Sequence, residues 1–185
     1  GIKNDDYLVC SFGFLGFTKL NLELIDAWVN SLLASVDSCH LVFVGENDSG
    51  EYGDKLIKRI RSSNSKERIR ITGFVSSEYL KYYLDAADIA VQLRTQSRGE
   101  TSAAVLDCMN HGLPVIVNAN GSMAELDTQA VYLLPDEFEG FMLVDALEKF
   151  WTSPELREKF GHRARQHVLS RHTPEVCVKQ YTEAI

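Results

Sequence analysis

Short apolar runs alternate with amphipathic stretches along this chain. Tyr7–Gly13 (YLVCSFG) is apolar, closes on glycine and predicts a buried strand. Lys19–Ala34 then places Leu22, Leu24, Ile25, Trp28, Val29, Leu32 and Leu33 at helical spacing, which buries one face of a helix. His40–Gly45 (HLVFVG) is a second apolar run ending in glycine, and Gly53–Ser62 is a charged helix with Leu56, Ile57 and Ile60 on one side. Arg68–Gly73 (RIRITG) alternates polar and apolar, as a strand near a sheet edge does.

Ser76 or Ser77 caps the next helix, with Glu78 in its first turn, and that helix runs to about Ala87. Asp88–Leu93 is a fourth strand, Thr101–Asn110 a helix, Leu113–Asn118 a fifth strand and Ala130–Leu134 a short sixth. A helix over Phe138–Trp151 follows. Ser153-Pro154 and Thr173-Pro174 each start one more helix, the last stopping at Ile185. Strands alternating with helices predict an α/β domain: a Rossmann-like, doubly wound, mainly parallel sheet of about six strands with helices on both faces.

Composition narrows the classes. The 185 residues are 45% hydrophobic and 24% charged, which fits one globular domain over residues 1–185. A net charge of -7 argues against wholesale binding to nucleic acid or to anionic membrane. No apolar run is long enough to span a bilayer, and the amino terminus does not resemble a signal peptide. Cys10, Cys39, Cys108 and Cys177 are scattered without a CxxC pair, as buried reduced thiols of a cytosolic protein are.

In such sheets a ligand lies outside the carboxyl ends of the strands, so the loops there hold the candidate chemistry. The first, GFLGFTK, offers Gly13, Gly16 and Lys19 but no GxGxxG, which removes most support for a dehydrogenase. Lys19 at a helix start opposes the helix dipole, so it either points into water or faces an anion. Arg94–Glu100 (RTQSRGE) carries Arg94, Arg98 and Glu100, and Thr101, Ser102, Ala103 and Ala104 open a helix with little bulk. Free N–H groups at such a start favour phosphate; the plainer reading of Thr101 or Ser102 is an ordinary cap.

Glu100 and Asp107 are seven residues apart, a spacing that returns to nearly one helical face. Asp107 is either a ribose-binding carboxylate or an exposed helix residue. Gly121, Ser122 and Met123 follow the strand PVIVN and predict a second helix start at the same cleft. His111 before Gly112 reads as a helix C-terminus. No DxD occurs to hold a metal against a diphosphate, and no Ser–His–Asp or Cys–His set has support.

Several of these stretches resemble a known family in order and spacing. They are Gly13…Lys19, Val44-Gly45, Ala87-Asp88-Ile89, Leu106-Asp107-Cys108-Met109, and Gly112-Leu113-Pro114-Val115 through Gly121 to Glu125-Leu126, with the tail SPELREKFGHRAR. Together they resemble the carboxy-terminal, donor-binding half of retaining GT-B glycosyltransferases of the family-4 type. The resemblance covers nearly the whole chain. It implies that Lys19 binds the donor phosphates, Asp107 the ribose, Glu100 a place near the sugar, and the Gly121–Met123 backbone the diphosphate or sugar. The chain departs from the family at three points. Phe14 stands where the family has an arginine, Asp107 stands for the second Glu of E-x7-E, and alignment on LDCM sets the first Glu at Gly99, one residue before Glu100.

The resemblance implies transfer of a sugar, with retention and without a metal, from a nucleoside diphosphate sugar to a glycan or lipid-linked acceptor. Lys19 and Glu100 are the expected catalytic pair, and Arg94 or Arg98 is expected to replace the missing phosphate-binding arginine. Beyond the donor no cofactor is expected, and no nucleic-acid partner. An acceptor-binding amino-terminal domain is absent from these residues, so the isolated chain is expected to bind nucleotide without transferring sugar. The expected setting is cytoplasmic, with room for peripheral membrane association of a full-length protein and a role in polysaccharide biosynthesis. The alternative is a non-catalytic module of the same fold that binds a nucleotide-sugar or a protein partner. Receiver-like signalling domains are disfavoured, because the first strand ends on Gly13-Phe14 and not on an acidic cluster.

Overall fold

The computed structural model describes residues 1–184; Ile185, the expected end of the last helix, lies outside the described residues. The described residues contain six strands in one sheet: β1 Tyr7–Phe12, β2 Cys39–Val44, β3 Ile69–Ile71, β4 Ile89–Gln92, β5 Val115–Asn118 and β6 Tyr132–Leu134. Their order is β3-β2-β1-β4-β5-β6, and every neighbouring pair is parallel. The strand order reverses between β1 and β4. The carboxyl ends of these two neighbours therefore flank the crevice where ligands bind in open α/β sheets.

Seven α-helices connect and cover the strands: α1 Asn21–Asn30, α2 Glu51–Arg61, α3 Ser77–Ala86, α4 Ala103–Asn110, α5 Gly140–Thr152, α6 Pro154–Arg171 and α7 Pro174–Glu183. The strands are apolar on both sides because both sides are covered. Val9, Leu41, Phe43 and Ile116 face Leu24 and Trp28 of α1, Leu56 of α2 and Phe150 of α5. Cys10, Val42, Val115 and Val117 face Leu84 of α3, Val105 and Met109 of α4 and Ala164 of α6. Trp28, Phe43 and Phe150 are the bulkiest of the fully buried side chains. Cys10, Cys39 and Cys108 are buried free thiols, and Cys177 is half-buried. No helix among the described residues is long and apolar enough to cross a membrane.

The first predicted helix, Lys19–Ala34, is divided into three pieces. Phe17–Lys19 is a 3-10 turn, Leu20 takes a left-handed conformation, and α1 ends at Asn30 before a second 3-10 turn over Leu32–Ser35. Ser31 ends α1 by turning extended while its hydroxyl donates to the Trp28 carbonyl (2.7 Å). Arg68 then collects the carbonyls that this break exposes, donating to Leu33, Ala34, Val36 and Cys39. These contacts run between distant segments, so helical periodicity alone does not reveal them.

The close approach of the β1 and β2 loops shapes the crevice. A Cβ on Gly45 would lie 2.0 Å from the Gly13 carbonyl oxygen, and Gly13 itself has φ +105°. A side chain at position 45 would displace the Gly13 backbone, whereas one at position 13 has room but would be held in a left-handed conformation that favours glycine. Pairing continues past the strands through Gly13 N–H to Val44 O (3.0 Å), Leu15 N–H to Glu46 O (2.9 Å) and Asp48 N–H to Leu15 O (3.3 Å).

Candidate functional site

Asn118, the last residue of β5, organises the loops at the carboxyl end of the sheet. It is fully buried. Its Oδ1 accepts from the Arg94 N–H (2.8 Å), and its Nδ2 donates to the Arg94 carbonyl (2.7 Å) and to Asp136 Oδ1 (3.2 Å). One amide thus satisfies both backbone groups of Arg94, which no strand neighbour pairs at the sheet end. Asn120 repeats the arrangement one step outward, accepting from Ser97 N–H (3.0 Å) and donating to Asp136 Oδ1 (2.9 Å). The loop after β4 is therefore fixed to the loops after β5 and β6. Thr95 N–H donates to the Thr18 carbonyl (2.9 Å), which fixes it to the loop after β1 as well.

This bracing brings Lys19, Arg94 and Glu100 together. Arg94 Nη1 pairs with Glu100 Oε1, and the Arg98 N–H donates to Glu100 Oε2 (2.8 Å). Glu100 is exposed, and its own backbone N–H, then that of Arg98, hold its carboxyl below the usual carboxylate range. Lys19 is half-buried. Desolvation, then repulsion from Arg94, lowers its pKa, while Glu100 partly offsets both. Arg94 pairs with Glu100 and Lys19 lies close enough to both to feel their charges, so two cations stand near one carboxylate at the sheet end, an arrangement short of negative charge.

Backbone strain is concentrated in the same two loops. Leu20 (φ +50°) follows Lys19, and Gln96 (φ +55°) follows Arg94; no other non-glycine among the described residues has positive φ. Each such residue costs about 1–3 kcal/mol, which the surrounding hydrogen bonds must offset. Asn21 helps on the Lys19 side, where the Gly16 carbonyl accepts from both Lys19 N–H (2.9 Å) and Asn21 Nδ2 (3.4 Å).

The carboxylates Glu100 and Asp107 do not share a helical face. Helix α4 begins at Ala103, so Glu100 belongs to the preceding loop. Asp107 is exposed and lines a cleft of about 380 Å³ together with Gly13, Phe14, Gly45, Glu46 and Phe74. The first loop joins the two regions: Gly13 and Phe14 wall the cleft, and Lys19 lies at the loop's other end. A separate cavity of about 760 Å³ opens between α1 and α5, with Arg94 and Thr95 at its edge.

Ser102 is buried and occupies the N-cap position of α4, yet its side chain makes no capping bond. The ordinary-cap reading is therefore not met, and no capping side chain occupies the first-turn N–H groups. Thr101 is exposed beside it. The expected second helix start is only a 3-10 turn over Gly121–Glu125. Its backbone folds tightly, because a Cβ on Gly121 (φ +58°) would lie 2.3 Å from the Ser97 hydroxyl. Ser122 Oγ donates to the Glu100 carbonyl (2.8 Å), and Met123 is buried. Thr101, Ser102, Ser122 and Met123 line a third cavity of about 400 Å³ with residues of α6 and α7. Arg98 is exposed and held through its backbone N–H. His111 ends α4, with Nδ1 2.7 Å from Asp85 Oδ1.

Glu46, Phe74, Asn118 and Asn120 lie in the loops after strands where the sequence places candidate chemistry, but the sequence gives them no individual role, and it does not point to Asp136. Asn118 and Asn120 had a visible signal: amides directly after an apolar strand, where a polar side chain must find buried partners. Phe74 is 84% exposed, and Phe14 is 54% exposed at the mouth of the same cleft. Among the described residues no three His, Cys, Asp or Glu side chains gather as a metal site.

Asn118→Ala strands the Arg94 and Asp136 partners. Urea unfolding is expected to show a loss of about 1–3 kcal/mol, with faster amide exchange at Arg94. For Glu100, native pKa below unfolded pKa means that its tether stabilises the loop above about pH 4.3. That contribution is lost as pH falls through the lower native value. Carboxyl NMR titration is expected to place the Glu100 midpoint below the ordinary glutamate value, and Arg94→Ala is expected to move it upward.

The model of the family "Glycosyl transferases group 1" matches residues 1–167. A 2-deoxystreptamine N-acetyl-D-glucosaminyltransferase of Niallia circulans is 24% identical over 71% of this chain and 34% of its own length. An alpha-D-kanosaminyltransferase of Streptomyces kanamyceticus is 27% identical over 68% of this chain and 32% of its own. The chain thus spans about a third of the length of the curated relatives it matches. Among solved structures, the C-terminal domain of a glycosyl transferase group 1 family protein from Francisella tularensis superposes with a TM-score of 0.80 at 21% identity, covering 91% of this chain and 87% of that one. HepE from Anabaena, solved in complex with UDP-glucose, superposes with a TM-score of 0.84 at 18% identity, covering 97% of this chain and 48% of its own. The fold is that of a GT-B glycosyltransferase C-terminal domain, and the chain belongs to the glycosyl transferases group 1 family.

Proposed function

We propose that this chain is the donor-binding half of a retaining glycosyltransferase that uses a nucleoside diphosphate sugar. The observation that carries the reading is a half-buried Lys19 near the Arg94–Glu100 ion pair, two cations to one carboxylate, at the strand ends where the sheet order reverses. A diphosphate placed there supplies the missing negative charge. The start of α4, with Ser102 not capping, adds backbone N–H donors. Arg94 then fills the role of the arginine that Phe14 replaces, and Arg98 does not.

The nucleoside occupies the cleft of about 380 Å³, within the size range of small-molecule sites. Asp107 and Glu46 are its carboxylate acceptors for ribose hydroxyls, and the exposed rings of Phe14 and Phe74 offer faces for the base. HepE, similar in fold, is a UDP-glucose complex, so a uracil nucleotide is the first donor to test.

In the reaction, the bond from the anomeric carbon to the β-phosphate oxygen breaks, a bond to the acceptor oxygen forms on the same face, and the acceptor's hydroxyl proton passes to the departing diphosphate oxygen. Charge develops on the departing diphosphate, and preorganised cations there lower the barrier. Lys19 and Arg94 supply that charge, and no metal is assigned a role. Glu100, held ionised between Arg94 and the Arg98 N–H, positions Arg94 and lies on the sugar side through its link to Ser122. The acceptor, a glycan or lipid-linked saccharide, is bound by a second domain. The full-length protein would then act in polysaccharide assembly in the cytoplasm, peripheral to the membrane where the acceptor is lipid-linked.

A second reading is a non-catalytic nucleotide-sugar or partner-binding module. It is favoured by Phe14 in place of arginine and by an exposed Asp107 for which no side-chain hydrogen bond is formed. Assay of a full-length protein with UDP-, GDP- and dTDP-sugars separates the two.

Thermal melting of the isolated chain tests the donor site. UDP at ~100 times its Kd is expected to stabilise by roughly 2.7 kcal/mol. Lys19→Ala and Arg94→Ala are each expected to weaken binding about tenfold or more, and Arg98→Ala to leave it close to the parent value. The isolated chain is expected to show no sugar transfer. No shift with any nucleotide contradicts the proposal.

A further inference from the structure

Helix α6 runs back alongside α4 toward the carboxyl end of the sheet. Its first turn stands near the start of β4, where Arg157 Nε lies 3.9 Å from Asp88 Oδ1. Gly161 then passes the end of α4 so closely that a Cβ on it would lie 2.1 Å from the Gly112 carbonyl oxygen. The end of α6 therefore brings His167, Arg171 and His172 to the start of α4, where they wall the cavity of about 400 Å³ together with Thr101 and Ser102. Ser122, whose hydroxyl donates to the Glu100 carbonyl (2.8 Å), lines the same cavity. The cavity thus opens directly beside Glu100, the residue on the sugar side of the proposed donor site.

Two buried polar side chains in this wall have no partner. Ser102 is 7% exposed and His167 is 8% exposed. Ser102 makes no capping bond, and neither its hydroxyl nor the His167 ring forms a hydrogen bond or ion pair among the described residues. His167 engages only its backbone, whose carbonyl accepts from Ser170 Oγ (3.0 Å). Buried polar groups are nearly always hydrogen-bonded, so two free ones in the wall of one cavity mark a place for a ligand's acceptors.

The cavity is rich in donors and short of acceptors. Thr101 and Ser102 bring hydroxyls, and Arg171 brings a guanidinium that forms no ion pair among the described residues. The rings of His167 and His172 lie with centroids 5.7 Å apart. Desolvation, then repulsion from Arg171 and His172, lowers the His167 pKa; Asp127, which does not line the cavity, partly offsets them. Glu125 is the one carboxylate in the wall among the described residues, set against Arg171 and two imidazoles. Val105, Leu106 and Leu126 supply an apolar side.

We propose that this cavity takes the sugar of the donor, and that the sugar is a hexuronic acid. This rests on the donor site proposed above. With the diphosphate at Lys19 and Arg94, the sugar passes Glu100 and enters between Thr101 and Ser122. The C–H face of its ring lies on the apolar side, and Glu125 accepts from a ring hydroxyl. The carboxylate reaches Arg171, whose planar fork fits a carboxylate through two parallel N–H donors. His167 and the Ser102 hydroxyl gain the acceptors they lack. A neutral hexose brings no charge to Arg171, so the cavity selects the acid by charge.

Isothermal titration of the chain tests this with UDP, UDP-glucose and UDP-glucuronate; GDP or dTDP and their esters replace the set where one of those nucleotides binds instead. The glucuronate ester is expected to bind about tenfold or more tighter than the glucose ester. Arg171→Ala, with its fold checked by thermal melting, is expected to bring the two esters to one affinity while the diphosphate alone binds as to the parent. Equal binding of the two esters, or tighter binding of the glucose ester, overturns the inference and leaves the donor site standing, because the diphosphate still binds. A preference that survives Arg171→Ala overturns it too, as does a loss that falls equally on the diphosphate and both esters. If no nucleoside diphosphate binds, the donor site fails and the inference fails with it.

Discussion

The buried amide of Asn118 is the interaction on which the rest of the site depends. Parallel strands end with backbone groups that no neighbour pairs, and here one side chain takes both groups of Arg94. Its hold on Asp136 brings the loop after β6 into the same network. The Thr95–Thr18 bond extends it to the loop after β1. Three crossovers that are far apart in sequence thereby present one surface. The glycine contact between Gly13 and Gly45 keeps the β1 and β2 loops close enough for a cleft to form beside it.

That rigidity sustains an arrangement which is unfavourable without a ligand. Lys19 is held near Arg94 although desolvation and repulsion both disfavour its charge. Leu20 and Gln96 occupy left-handed backbone on either side. A charge-poor, strained constellation of this kind persists only where the scaffold over-determines it. Under the proposed function a donor diphosphate would offset that cost, which would tie the stability of the loops to occupancy of the site.

The fold was largely legible in the sequence. Apolar runs ending in glycine marked the strands, and Pro154 and Pro174 marked two helix starts. What escaped was tertiary in origin. The break after Asn30 depends on Arg68 reaching across to four carbonyls, and the periodicity of Lys19–Ala34 contains no trace of that contact. In the site, Lys19, Arg94 and Glu100 are candidates on sequence alone, but the ion pair between Arg94 and Glu100 is not legible there. The seven-residue spacing of Glu100 and Asp107 suggested one helical face, whereas α4 starts only at Ala103 and Asp107 turns toward Phe14 and Phe74. Gly121 suggested a helix start and forms a 3-10 turn instead, because its backbone is drawn against Ser97. Spacing fixes faces only within one continuous helix, and the chemistry here sits where helices have not yet begun.

The most direct test of the donor site is the map of amide NMR shifts on adding UDP to the isolated chain. The arrangement of loops predicts saturable changes confined to Gly13–Lys19, Gly45–Glu46, Arg94–Gly99 and the first turns of α4, with the α1 and α5 walls of the neighbouring cavity (Glu23, Ala27, Phe141 and Val144) silent. Changes centred on that cavity, or none at saturating UDP, would contradict it.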